Sequence, residues 1–204
     1  MIKLESLTRS RRNVGILEIN SVLNRQNGLC PYCGMPVDIK QKRGRHWTLD
    51  HVLPYAVFKW LENVLNDEQA DELWKAINSN ENLVIAHNRC NLDKNSAVHS
   101  EHQIQAFILP DDVKEAFIKL HKDMSIYTTM YKEMIYSVAR KYNYKCYRCG
   151  IKKHSCDLSL RRLDSNKIRS KSNACIVCKD CNTYVSRSHY TNNGKILGRY
   201  DKRR

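Results

Sequence analysis

The feature that most constrains this chain is a pattern of paired metal-type ligands that occurs twice. Cys30-x-x-Cys33 is followed by His87-x-x-Cys90, and Cys146-x-x-Cys149 is followed by Cys178-x-x-Cys181. Two donors on one tight turn and two on a distant one make the tetrahedral nitrogen and sulfur set that structural zinc prefers. The nine cysteines are odd in number and no secretory leader is expected ahead of them. Thiolate metal sites in a reducing compartment therefore fit better than a disulfide scaffold. Four protein ligands leave no open position, so each of the two zinc ions is expected to be structural, contributing on the order of 10 kcal/mol to folding. In the second set Cys175-x-x-Cys178 is a competing register. The 178/181 register is preferred because Cys181-Asn182 then matches Cys90-Asn91, and Asn173 precedes Cys178 as Asn82 precedes His87. Cys156 and Cys175 remain, expected as an exposed thiol and a small buried residue.

A repeat of this kind divides 204 residues into two small modules. The 42% hydrophobic content suffices for packed cores and excludes wholesale disorder. No stretch of 18 apolar residues is present, which argues against a transmembrane helix, and the charged segment before Ser21 does not resemble a signal peptide. The expectation is a cytoplasmic protein with no membrane partner.

Charge separates the two halves. From Arg140 onward lie 18 of the 35 Lys+Arg but only 4 of the 21 Asp+Glu, leaving 17 of each before it. The whole net charge of +14 thus sits in the last third, where a polyanion such as nucleic acid is the expected partner.

Residues 1–12 read as a basic arm. Val14, Ile16, Leu17, Ile19, Val22 and Leu23 suggest a helix ending near Asn27-Gly28. Trp47 to Leu53 reads as a strand stopped by Pro54, and Leu83 to Ala86 as a second strand. Between Val57 and Ser79 the pattern is helical, with Ala70, Leu73, Trp74 and Ile77 on one face and Asp67 as the cap. Asn91 can start another helix. Residues 101–143 read as two helices, the first with an Asp112-x-x-Glu115 capping box and the second over Ile126 to Tyr142. The domain expectation is 1–100, a spacer at 101–143, and 144–204.

Between the first two knuckles stands Leu49-Asp50-His51-Val52-Leu53-Pro54, then Asn82-Leu83, then Cys90-Asn91-Leu92-Asp93-Lys94. Over residues 28–97 this succession resembles the HNH, or ββα-metal, endonucleases whose motif is framed by zinc knuckles. The resemblance implies an α+β chain of two zinc-stapled ββα modules joined by a helical spacer. It implies His51 as general base, Asp50 and Asn91 as ligands of a catalytic Mg2+ (or Mn2+), and Asn82 as a loop-orienting residue. The residue chemistry is compatible: imidazole near its ordinary pKa is largely neutral at pH 7 and can take a proton from water. Oxygen donors of the Asp and Asn type suit a hard cation that keeps several waters. Lys94, three residues after Asn91, shares its helical face and is expected to reach a phosphate oxygen. Asp50 and His51 are consecutive, so on a regular strand they face opposite ways and can share a site only if the strand bends. The 41 positions from Asp50 to Asn91 are long for the motif, and the Val57–Ser79 segment is read as an inserted helix, either a dimer or DNA contact or plain core packing.

Overlaying the modules places Leu160-Arg161-Arg162 on Leu49-Asp50-His51 and Val185 on Lys94, with Asn173 and Asn182 retained. The interval from Arg161 to Asn182 is 21 positions, shorter by 20. Arginine at a metal-ligand position repels a divalent cation, so this copy is expected to hold phosphate rather than cut it. Lys152, Lys153, Lys167, Arg169 and Lys171 extend the basic run, with Tyr144, Tyr147, Tyr184 and Tyr190 interleaved. The function expected is hydrolysis of double-stranded DNA to 5′-phosphate and 3′-hydroxyl ends by a homodimeric type II restriction enzyme, prokaryotic or phage-encoded. A phage or homing-type nicking enzyme, and a non-catalytic zinc protein that binds nucleic acid, are the alternatives.

Overall fold

The structure, a computed structural model, describes residues 14–154 and 157–182. The basic arm, Cys156, Tyr184, Val185 and Tyr190 lie outside the described residues. The fold is mixed α+β, with helices around two small antiparallel sheets. By its internal contacts the chain divides into one unit up to Thr129 and another from Met130.

In the first unit, helix α1 (Ile16–Arg25) buries Ile19 and Val22 and leaves Leu17 exposed. It ends as the spacing predicts: Asn27 and Gly28 adopt φ of 53° and 72°, and the Gly28 N–H donates to the Leu23 carbonyl at 2.9 Å. After the first knuckle, β1 (Trp47–His51) pairs antiparallel with β2 (Leu83–His87), with Trp47 opposite His87 and His51 opposite Leu83. Leu83, Ile85 and Ala86 pack with Ile19, Val22, Val37 and Trp47. Val84 and Val52 pack instead with Ile104, Phe107, Val113 and Phe117. Both faces of the hairpin are thus covered, which suits a β2 that reads as an unbroken apolar run.

Gln26, just past α1, ties this arrangement together. It is 2% exposed; its amide nitrogen donates to the Leu29 and Ile85 carbonyls, and its oxygen accepts from the Ile85 N–H at 2.9 Å. A buried amide with every bond made anchors one helix to one strand without an unsatisfied group.

The segment read as one helix over 57–79 is two: α2 (Tyr55–Leu61) and α3 (Asp67–Ile77). Pro54 sets the start of α2, since its fixed φ suits the residue before a helix. The cap of α3 is Asn66, not Asp67: Asn66 Oδ1 accepts from the Gln69 N–H and Gln69 Oε1 from the Asn66 N–H. Capture of those orphan N–H groups restarts the helix one residue earlier than the acidic residue suggests. Ala70, Leu73 and Ile77 are buried, while Trp74 packs on Phe58 and Tyr55 with ring centroids 4.9 and 5.9 Å apart.

Beyond β2, α4 (Asn88–Lys94) packs against both strands, completing a strand–strand–helix unit. Three helices follow where two were expected: α5 (Glu101–Gln105), α6 (Asp111–Asp123) and α7 (Ser125–Lys141). The Asp112/Glu115 capping box does not form. Pro110 starts α6 and carries Asp112 inside the first turn, while the capping box of this region belongs to Ser100 and Gln103. Residues of α5 and α6 share the core with Val52 and Val84.

The second unit contains the rest of α7, a knuckle, and β3 (Leu158–Arg162) paired antiparallel with β4 (Ala174–Cys178). Its register repeats the first: Leu158 faces Cys178 and Arg162 faces Ala174. The repeat also reaches back before the knuckle. Asn143 and Tyr144 take φ of 51° and 57°, and the Tyr144 N–H donates to Ala139 at 2.8 Å. In sequence Ile19-x-Ser21-Val22 and Ile135-x-Ser137-Val138 stand at equal distances from their knuckles, a correspondence missed when the repeat is counted from its cysteines.

Candidate metal centres and a buried acidic site

Each knuckle is a tight backbone turn. The Cys30 N–H donates to Met35 and the Gly34 N–H to Cys30, both at 2.9 Å; Cys146, Ile151 and Gly150 repeat both bonds at the same length. The turn aims two sulfurs toward the end of β2 or β4 and the helix start beyond it. Cys30, Cys33, His87 and Cys90 form one group and Cys146, Cys149, Cys178 and Cys181 the other, with donor atoms within 4.8 Å of one another in each. Both groups are compatible with a structural metal ion such as zinc. Cys175, the alternative ligand, is instead buried on β4 opposite Arg161 and outside the group.

The first group also shows how its histidine is oriented. His87 Nε2 lies 3.1 Å from the Pro36 carbonyl and Nδ1 lies 3.3 Å from Cys33 Sγ. A carbonyl only accepts, so Nε2 carries the proton and Nδ1 offers its lone pair to the cluster, the orientation a metal-binding histidine needs. In the second group the Cys178 N–H donates to Cys146 Sγ at 3.3 Å.

Crowding of sulfurs shows in their acidity. Burial, then the neighbouring Cys30 and Cys33, pushes the Cys90 thiol up to about 12. Burial also raises Cys30, Cys178 and Cys181. At Cys146 burial is outweighed by N–H groups of Cys149, Cys178 and Arg148, which bring it to about 7. A cation held among the four donors would offset the mutual repulsion of the sulfurs and favour their thiolate form.

The second feature of the first unit is a buried carboxylate. Asp50 is 7% exposed, accepts from Tyr32 Oη at 2.6 Å and from the His51 N–H at 2.8 Å, and pairs with Lys94 Nζ at 2.8 and 3.0 Å. Lys94 also donates to the His51 carbonyl. Its side chain is 2% exposed, so α4 turns it inward onto β1 rather than outward toward solvent. Bonds of this kind between ionised groups are stronger than neutral ones, and removing either partner strands the other. Tyr32 is held well above the usual phenol range by burial and then by Asp50. Beside it His99 stacks on Tyr32 and meets Phe107 edge-on, with neither ring nitrogen hydrogen-bonded among the described residues. Burial, then the Lys94 charge, lowers His99 to about 4.

The consecutive residues Asp50 and His51 have different neighbours. The carboxylate meets Tyr32 and Lys94, whereas the His51 ring lies 6.1 Å from Tyr55. Asn91 lies half-buried on α4. Asn82 is fully buried and its amide closes the end of the hairpin: Oδ1 accepts from the Leu53 N–H, and Nδ2 donates to the Leu53 and Ile77 carbonyls. Asn173 makes the same three bonds with Asp164 and Ile168. Tyr32 and Gln26 were not singled out from sequence. Their partners lie 18 and 59 residues away, and only Tyr32's place inside the knuckle hinted at a role.

In the second unit the strand position of Asp50 is taken by Arg161, whose Nε donates to Asn182 Oδ1. Burial, then the charge of Arg148, lowers the Arg161 pKa. Arg162 donates to the Lys167 carbonyl at 3.1 Å. Lys152, Lys167 and Lys171 are exposed, and Lys153 and Arg169 half-buried.

Among the described residues no helix is long and apolar enough to cross a membrane. Comparison with family models, with curated proteins and with solved structures finds no match to this chain.

Proposed function

We propose that the chain is a metal-dependent DNA endonuclease of the ββα-metal kind, whose first unit cuts and whose second unit grips. The observation that carries this reading is the meeting of Asp50, the His51 backbone and Lys94 at the seam of β1 and α4, next to a Cys3His cluster. A carboxylate is buried there with polar partners that a plain hairpin does not need.

Phosphodiester hydrolysis calls for a base, a Lewis acid and charge stabilisation at phosphorus. Asp50 and Asn91 offer the hard oxygen donors that Mg2+ or Mn2+ takes, and the Lys94 ammonium on both Asp50 oxygens marks a place where positive charge is already favoured. Such an ion would polarise the phosphate and stabilise the leaving 3′ oxygen. His51 accepts the proton of the attacking water. Asn82 positions: it clamps Leu53, two residues beyond His51, and so fixes where β1 ends. Tyr32 and Lys94 hold the Asp50 carboxylate in one orientation. Products are 5′-phosphate and 3′-hydroxyl ends.

In the second unit guanidinium groups replace acid and base, which suits phosphate contact without cleavage. One cutting unit per chain favours a homodimer for double-strand scission at a palindromic site, as in a type II restriction enzyme. A monomer would nick, as phage and homing-type enzymes do. A second reading, a zinc protein that binds nucleic acid without cutting it, draws on the same ion pair, since Lys94 already satisfies Asp50.

The test is plasmid cleavage in Mg2+ or Mn2+ by the wild type and His51→Ala. Discrete linear products from the wild type alone support the restriction reading, and accumulated nicked circles the nicking one. Binding without cleavage in either metal leaves the non-catalytic reading. Arg161→Ala/Arg162→Ala is expected to lower duplex affinity and reduce its salt slope by about two.

A further inference from the structure

Tyr144 occupies a backbone position that disfavours it. The turn after α7 requires a left-handed residue, and Tyr144 has φ 57° where the first unit's turn has Gly28 at 72°. A bulky residue in this region is a genuine outlier, tolerated only where something else fixes it. The Tyr144 carbonyl accepts from the Lys153 N–H at 3.0 Å, as Gly28 does from Val37, so the turn itself is common to both units and the side chain is not.

That side chain lines a cavity of about 650 Å3 together with Tyr136, Lys152, Lys153 and His154. Tyr136 is 44% exposed on α7 and Lys152 is exposed on the knuckle. The corresponding residues of the first unit are Asn20, Gly28, Pro36, Val37 and Asp38, which supply neither an aromatic ring nor a positive charge. Two rings and two ammonium groups thus enter together, on a backbone that needs none of them. Aromatic faces beside cations recognise an unstacked nucleobase and its phosphate, and the depression is open to solvent, as a strand passing over it requires.

We infer that this cavity is a subsite for one unstacked nucleotide of a DNA strand, with its base against Tyr144 or Tyr136 and its phosphate against Lys152 and Lys153. The inference rests on the DNA-binding reading above and adds to it a preference for DNA with a single-stranded segment.

The zinc-loaded full chain is titrated, by fluorescence anisotropy, into a blunt duplex and into the same duplex carrying a short thymidine tail. The tailed duplex is expected to bind about tenfold more tightly. Tyr144→Gly is expected to abolish that preference while keeping or raising the melting temperature, because glycine relieves the backbone. Should Tyr144→Gly lower the melting temperature, Tyr136→Leu on the exposed helix face decides, with the same loss expected. Blunt duplex bound without any tail preference overturns the subsite and leaves the DNA reading standing, as does a tail preference that survives both variants. No binding to either duplex overturns both. A stronger preference for an RNA tail than for the DNA tail overturns the assignment to DNA.

Discussion

Where the first unit has Asp50, opposite Val84, the second has Arg161, opposite Cys175, on hairpins paired residue for residue in the same register. The knuckle turns, the left-handed residues after the preceding helix and the buried asparagine at the end of the hairpin also recur. What changes is the charge on a few side chains: an acid held by a lysine in one unit, an arginine bonded to an asparagine in the other. The connection between strands changes too, holding α2 and α3 in the first unit and a short loop in the second. In both units the frame is specified by metal-type ligands and backbone-satisfying polar groups. The chemistry at its centre is specified separately, and one can be altered without the other.

The largest effect is expected from the metal centres. If both frames are stapled by zinc, the purified chain carries two equivalents by elemental analysis. Cys90→Ser should unfold the first unit and Cys181→Ser the second, each losing on the order of 10 kcal/mol, with the other unit's amide spectrum retained. Retention of both spectra in either variant would break the comparison at its base.

A smaller loss is expected at the centre of the first unit alone. Lys94→Met leaves Asp50 buried without its cation and should cost about 3 to 5 kcal/mol in urea unfolding. Millimolar Mg2+ should recover part of that loss if the carboxylate accepts a divalent ion, and none if Asp50 is purely structural.

The two asparagines provide a matched pair. Asn82→Ala and Asn173→Ala each remove three side-chain hydrogen bonds and strand a backbone N–H, so each should cost about 3 kcal/mol. Equal losses would show that both serve the frame. A larger effect of Asn82→Ala on cleavage than on stability would add a positioning role to it.

The smallest effect concerns the turn. A Cβ at Gly28 meets nothing within 4 Å, so Gly28→Ala suffers only from its backbone conformation and should cost about 1 kcal/mol. Tyr144→Gly should return a similar amount. Thermal melts of the two variants against wild type check the sign of both.

Much of this was legible in sequence because it is local or repeated. Ligand spacing, the apolar run of β2, Pro54 after a strand and the offset that aligns Asn82 with Asn173 all leave marks within a few residues or at a fixed period. The inward turn of Lys94 was not legible: helical spacing assigns it a face, but only the packing of α4 on β1 decides whether that face meets solvent or Asp50. The cap at Asn66 was misplaced by one residue because Asp67 and Asn66 are both good caps, and the reciprocal bond from Gln69 selects between them. The break between α2 and α3 hid inside an apolar periodicity that both helices share. Tyr32 acts through one hydrogen bond to a residue 18 positions away and Gln26 through a pair to Ile85, 59 positions away, and contacts of that kind leave no periodic trace.

Gln26 has one more consequence. A two-stranded sheet has an open edge on each strand, and an open edge is a template on which another chain can add. At the middle of β2 that template is already filled, because a side-chain amide takes both the N–H and the carbonyl of Ile85. At the matching point of β4 the Tyr147 N–H takes the carbonyl of Ile176 at 2.8 Å. Neither hairpin offers a clean row of unpaired groups along this side. Growth into a larger sheet is therefore blocked on the β2 and β4 sides by a single residue in each unit, and a pairing of two chains through strands has to use the β1 or β3 side.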